Sequence, residues 1–238
     1  GADGTDSLDD RAAIQAAIDR GLSWLATNQK EDGTWSMSNG RNTGVVSFST
    51  LAFMAAGSVP NEGPYGEQVM RSVKYILQCA HPSGLIIQES QSSHGPMYEH
   101  AMSTVLLAES YGMMPQGGVV RDRLERAVDL IINTQNRFGG WRYQPRVADA
   151  DVSVTVMCLL ALKAAGNAGL HVPEDTIEAA VGYVKSCALP NGGFSYQPGV
   201  GDALYGRSAA GTFSLLMSGE MEAPETLMGL KYLQDNKT

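Results

Sequence analysis

The chain has 238 residues, enough for one large domain or two small ones. Its 17 Lys and Arg against 25 Asp and Glu give a net charge of −8, which excludes the basic footprint of a nucleic-acid binder and electrostatic docking on anionic membranes. With 43% hydrophobic and 18% charged residues, 27 Gly and 10 Pro, it is a packed globular chain cut by many turns.

The first predicted element is a helix over about 8–29. Ser7 with Asp10 three residues on forms its cap, and Ile14, Ile18, Leu22 and Leu25 fall on one face. It ends at the polar turn Gln29-Lys30-Glu31-Asp32-Gly33. A second helix over 44–57 follows, and its apolar heart, Val45 to Ala56, is too short to span a bilayer. Helices over 67–80, 98–112, 121–136, 152–166, 174–188 and 206–219 come next, and a ninth runs over 225–236. The first member of each pair is amphipathic, with charges such as Arg71, Lys74, Arg123, Arg126, Glu178 and Lys185. The second member carries almost no charge, so it must be surrounded by protein. The implied fold is all-α: two curved layers, apolar helices inside and amphipathic helices outside.

The elements recur. Gly33, Gly84, Gly139 and Gly192 lie 51, 55 and 53 residues apart. Nine residues before them stand Trp24, Tyr75, Leu130 and Tyr183, and two residues after them Trp35, Ile86, Trp141 and Phe194. Each second helix ends at a glycine: Gly57, Gly112, Gly166 and Gly219. The expectation is a single repeat domain over 1–238, with repeats at about 8–60, 67–115, 121–173 and 174–220 and a partial fifth at 223–238. Repeats three and four share the string GG-aromatic-x-YQPxVxDA, from Gly139 to Ala150 and from Gly192 to Ala203. The two loops should therefore follow one backbone path and place Asp149 and Asp202 equivalently. Cys79, Cys158 and Cys187 form no CxxC pair and read as small core hydrophobes.

The stretches Arg20-Gly21 … Gln29 … Gly33-Thr34-Trp35 and Arg126-Ala127 … Gln135 … Gly139-Gly140-Trp141 resemble the QW repeat of squalene and oxidosqualene cyclases, which protein prenyltransferase β subunits share. Repeats two and four keep the glycine and replace the Gln by Ala80 and Ala188. The resemblance covers essentially the whole chain and implies an α/α toroid of six helix pairs around an apolar cavity. About four and a half pairs make an incomplete or open ring. Either further C-terminal repeats or a second copy in a homo-oligomer would close it. In such a repeat Trp24, Gln29, Trp35, Gln135 and Trp141 are scaffold, the Trp stacking on a helix and the Gln amide bonding the neighbouring helix end.

The resemblance also implies chemistry. Class II terpene cyclases protonate an alkene with an acid of a D-x-D-D-[ST] motif ahead of an inner helix. Here Asp149-Ala150-Asp151-Val152-Ser153-Val154-Thr155 occupies that place. In one register Asp149 and Asp151 are the first and middle acids. In the other, counted back from Ala161-Leu162, Asp151 is only the first acid and no proton donor remains. The prenyltransferase zinc site uses an Asp-x-Cys pair, and Ser153 stands where its thiolate would be. No metal and no cofactor are expected.

Loops between first and second helices lie on one face of a repeat array, so their side chains converge on one rim. The candidate catalytic residues are Asp149 and Asp151, and the candidate ligand-binding rim comprises His94, Tyr98, Glu99, His100, Arg142, Tyr143, Asp202, Tyr205 and Arg207. Carboxylates at helix starts also have a plain capping role. The function expected is that of a terpenoid-cyclase-like enzyme, or of a binder of an apolar or amphipathic small ligand in the concave cavity. The alternatives are a non-catalytic scaffold module and a carbohydrate-active α/α enzyme with carboxylates facing across a polar cleft. The chain starts with Gly1, as after removal of a signal peptide or trimming. Export is the expectation and the cytoplasm the alternative.

Overall fold

A computed structural model describes residues 6–36, 38–89, 95–114 and 117–237. Among these residues nine helices follow in order: α1 Asp6–Asn28, α2 Thr43–Ala55, α3 Gly66–Gln78, α4 Pro96–Ser110, α5 Gly117–Thr134, α6 Val152–Asn167, α7 Glu174–Ser186, α8 Tyr205–Met217 and α9 Pro224–Asp235. Extended structure among the described residues is confined to isolated bridges such as Gln29 with Trp35 and Ala188 with Phe194. Among the described residues no helix is long and apolar enough to cross a membrane.

The inner row runs α2–α4–α6–α8, each helix packed on the next. Outer helices α3, α5 and α7 each wedge between two inner ones. The charge asymmetry of the sequence produces this order. Uncharged stretches such as Ala101–Ala108 and Val154–Leu162 can only sit where both sides are covered, and α4 and α6 are buried almost throughout.

The glycine turn is required twice over. Gly33, Gly84, Gly139 and Gly192 have φ of 83, 93, 88 and 87°, a region costly to residues with a Cβ. A Cβ on them would also lie 2.2–2.5 Å from the carbonyl oxygens of Arg71, Arg126, Ala179 and Met228 on the next outer helix. Around this turn the Gln29 amide donates to the carbonyl of Gln68 at 3.0 Å, and that of Gln135 to the carbonyl of Thr176 at 2.9 Å, each tying one repeat to the next. The indoles of Trp35 and Trp141, both buried, donate to Leu25 and Ile131 ten residues upstream, locking each turn onto its own helix.

Three expectations are corrected. The third inner helix does not stop at Gly166: it runs on to Asn167, and Gly169, with φ 87°, takes the left-handed position after it. The fifth helix begins at Gly117, ahead of the expected 121. The first helix does not bury its whole apolar face. Leu22 is buried, but Ile14 is 59% exposed, and Ile18 and Trp24 are also exposed. The cause is its place at the edge: α1 packs chiefly on α2, without the second inner helix that flanks α3, α5 and α7. At the other edge α9 packs on α8 and exposes Leu227, Met228 and Leu230.

Candidate functional site

The start of α6 holds the most unusual carboxylate. Asp151 caps the helix: its backbone is extended, and Oδ1 accepts the Val154 N–H at 3.0 Å. Asn42 does the same for α2, accepting from Val45 at 3.1 Å without a charge. Capping alone therefore does not call for a carboxylate. Asp151 is fully buried, and its second oxygen closes no hydrogen bond of regular geometry. Burial raises its pKa above the usual Asp value, outweighing the Val154 N–H, the nearby Tyr196 hydroxyl and the Arg142 guanidinium, which favour the ion.

Three tyrosines surround it. Tyr98 comes from the first turn of α4, and Tyr143 and Tyr196 come from the two YQP strings. The hydroxyls of Tyr143 and Tyr196 are hydrogen-bonded to each other, and the ring of Tyr98 lies 6.0 Å from that of Tyr143. Arg142 sits over both loop rings, 5.3 Å from Tyr143 and 5.7 Å from Tyr196, and Arg207 covers Tyr196 at 5.6 Å. Backbone bonds fix the frame: Met97 N–H to Tyr143 O, Asp151 N–H to Trp141 O, and Val152 N–H to Tyr196 O, at 3.0–3.1 Å. Burial and then the Asp151 charge push the Tyr98 pKa up to about 12, so the phenol keeps its proton, hydrogen-bonded with Ser153. Of this group Asp151 was a candidate acid and Tyr98, Tyr143, Arg142 and Arg207 candidate rim residues, whereas Tyr196 and Ser153 stood outside both sets. The repeated YQP string was the signal for Tyr196.

Tyr98 also lines a hollow of about 510 Å³ on the inner face, between the N-terminal halves of α2 and α4 and the side of α6. Val45, Phe48, Met102 and Met157 supply its apolar lining, and Phe48 is 55% exposed into open space. Asn39, Asn42 and Glu99 lie at its polar end. Glu99 is only 3% exposed: Oε2 accepts a long hydrogen bond from Thr43 at 3.4 Å, and Oε1 has no partner.

The remaining rim residues disperse. His94, like Gln91, lies outside the described residues. His100 is not on the rim. It is fully buried, its Nδ1 accepting the Ile86 N–H at 3.2 Å, which leaves Nε2–H to donate to Ala127 O at 3.1 Å. Burial lowers its pKa to about 4. Thr155 and Ser208 hold the same post in the next repeats, accepting from Trp141 and Phe194, so His100 is a structural acceptor enlarged to an imidazole. Asp149 is exposed, pairs with Arg142 at 2.9 Å and lines a different hollow, outside the loops. It does not join Asp151 as a facing pair. Asp202 and Tyr205 are exposed, and Arg207 bonds the main-chain carbonyl of Asp202, not its carboxylate. The cause is Ser195, which stands where repeat three has Arg142. Asp149 and Glu99 thus line two different hollows and do not face each other as the carboxylates of a glycosidase would.

No protein-family profile matches the chain, and no curated protein matches it. Solved structures do. One is a variant of the type II terpene cyclase MstE from Scytonema, in complex with its substrate geranylgeranyl dihydroxybenzoate. It shares 15% identity at a TM-score of 0.61, over 93% of this chain and 62% of that one. This chain therefore spans about three fifths of the length of the matched structure. The likeness is one of fold: the chain has a terpenoid-cyclase-like α/α toroid architecture.

Proposed function

We propose that the protein binds an apolar or amphipathic small ligand in the inner-face hollow, as a terpenoid-cyclase-like member of the QW-repeat proteins. The carrying observation is the hollow itself. Its volume of about 510 Å³, its Phe48, Met102 and Met157 lining and its polar end at Glu99 and Asn42 match a molecule with a greasy tail and a polar head. The solved terpene cyclase, which holds a prenylated aromatic acid, agrees with that chemistry. The Gln29/Trp35 and Gln135/Trp141 turns support the repeat assignment.

The test is calorimetric titration with farnesol and with geranylgeranyl dihydroxybenzoate. Binding is expected, and Met157→Trp, which fills the hollow, should weaken it at least tenfold. Failure of both ligands to bind, or binding indifferent to Met157→Trp, would sink the proposal.

A second reading rests on Asp151. A buried carboxyl with a raised pKa and an oxygen to spare, behind a protonated Tyr98 that lines the hollow, has the make-up of a general acid. In this reading Asp151 delivers the proton and Asp149 acts by holding Arg142. Mass analysis after incubation with the prenylated acid separates the two. Turnover that Asp151→Asn abolishes while binding persists makes the protein an enzyme; binding without turnover leaves a carrier.

A further inference from the structure

A larger, mainly apolar hollow lies elsewhere, outside the loops, where the third glycine turn meets α7. It measures about 600 Å³ and is lined by Phe138, Ala179, Gly182, Tyr183 and Pro198, with Arg137 and Asp149 also at its wall. Repeat equivalence shows what is special here. The glycine turns press on Arg71, Arg126, Ala179 and Met228 of successive outer helices. Three residues further along stand Lys74, Asp129, Gly182 and Lys231. Only the third junction has two small residues; the others carry long or charged side chains. One residue before each turn glycine, Phe138 replaces Asp32, Ser83 and Asn191. The sister hollow at the second junction is smaller, about 410 Å³, and is walled by Ser83, Arg126, Asp129 and Asn133.

These departures run against stability. Gly182 inside α7 costs the helix about 1 kcal/mol relative to Ala, and Phe138 is 55% exposed to water. Tyr183 adds a third. At the first junction its counterpart Tyr75 donates to the carbonyl of Arg41 at 2.6 Å and draws the loop down. The Tyr183 hydroxyl, in a side chain more than nine-tenths buried, has no oxygen or nitrogen partner, only the Cys187 thiol beside it. No such bond ties Tyr183 to the third loop beside the hollow. Local rules broken together at one place mark a functional site more often than an accident.

The wall selects the ligand. Gly182 leaves one face of α7 flat, facing Phe138 and Pro198, which suits a planar ring. Arg137 stacks on Phe138 at 4.7 Å and forms no ion pair among the described residues, whereas Asp149 is neutralised by Arg142 at 2.9 Å. The charge left over is positive. We infer that this outer hollow is a second binding site, separate from the inner face, for a small planar aromatic carboxylate that stacks between Phe138 and α7 and pairs with Arg137.

The probe is 2-naphthoate, titrated calorimetrically into the intact chain. Saturable one-to-one binding is expected. Gly182→Leu fills the hollow; nothing lies within 4 Å of the added Cβ, and a better helix former replaces glycine. It should weaken binding at least tenfold without lowering the melting temperature. Arg137→Gln should cost about fivefold for 2-naphthoate and leave neutral 2-naphthalenemethanol unchanged. Met157→Trp, on the inner face, should leave 2-naphthoate binding as it was. No saturable binding, or binding lost in Met157→Trp and kept in Gly182→Leu, would overturn the inference. So would self-association, seen by light scattering, that Gly182→Leu abolishes, since a second copy would then be the occupant.

Discussion

The third and fourth loops carry one string and share much of their path, parting at Gly201, which is left-handed where Ala148 is not, and only the third holds a buried acid. Gly140 packs on Ala150 as Gly193 packs on Ala203, and Arg146 and Gly199 both take left-handed φ, 60 and 70°. Thr155 and Ser208 receive the same N–H bond. Against this sameness, Ser195 stands at the position of Arg142 and Leu204 at that of Asp151. What the two loops share builds the turn. What they do not share places a cation over two tyrosines and a carboxyl beneath them. Chemistry in this array is carried by departures from the repeat, not by the repeat itself.

The comparison breaks first at the packed aromatic. Trp141→Ala should cost about 3–5 kcal/mol in urea unfolding, and Phe194→Ala less, because only the indole also donates to a carbonyl, that of Ile131. Equal costs would mean that the N–H bond adds nothing.

A second test uses the one titratable member of the His100, Thr155 and Ser208 series. The folded pKa of His100, about 4, lies below its unfolded value of roughly 6.5, so the unfolded chain binds the extra proton between them. Its contribution is fully present above pH ~6.5 and is lost as pH falls towards 4, amounting to about 3 kcal/mol at most. His100→Gln keeps an acceptor for Ile86 and a donor for Ala127, and should flatten the pH profile of stability in that window. Asp151 acts in the opposite sense: with its pKa raised, its burial penalty is relieved as pH falls, and Asp151→Asn removes that dependence.

Asp151→Ala should cost about 1 kcal/mol through loss of the helix cap. Asp202→Ala, at an exposed loop carboxylate, should stay within about 0.5 kcal/mol. Similar losses at both would undo the distinction drawn between the loops. The smallest effect is at the left-handed position. Arg146→Gly should stabilise by about 0.5–1 kcal/mol, since Arg pays for φ 60° where repeat four already has Gly199.

By itself the sequence determined the elements. Glycine spacing and the alternation of charged with uncharged helices specify nine helices in two layers, because turn geometry and burial of apolar stretches are local demands. It also marked Asp151, Tyr98 and Tyr143. Only tertiary structure decided which residues meet. His100 looks like a rim histidine until Ile86 and Ala127 close on it from two repeats. Asp149 and Asp151 are two residues apart, yet Asp149 pairs with Arg142 at the outer hollow while Asp151 is buried as the cap of α6. Ile14 and Ile18 lie on an apolar stripe that periodicity shows, but whether a stripe is covered depends on a neighbour, and among the described residues α1 packs chiefly on α2. The outer hollow at Gly182 emerges only when side chains from α7, the turn before it and two loops are set in one place, since no single stretch of sequence contains its walls.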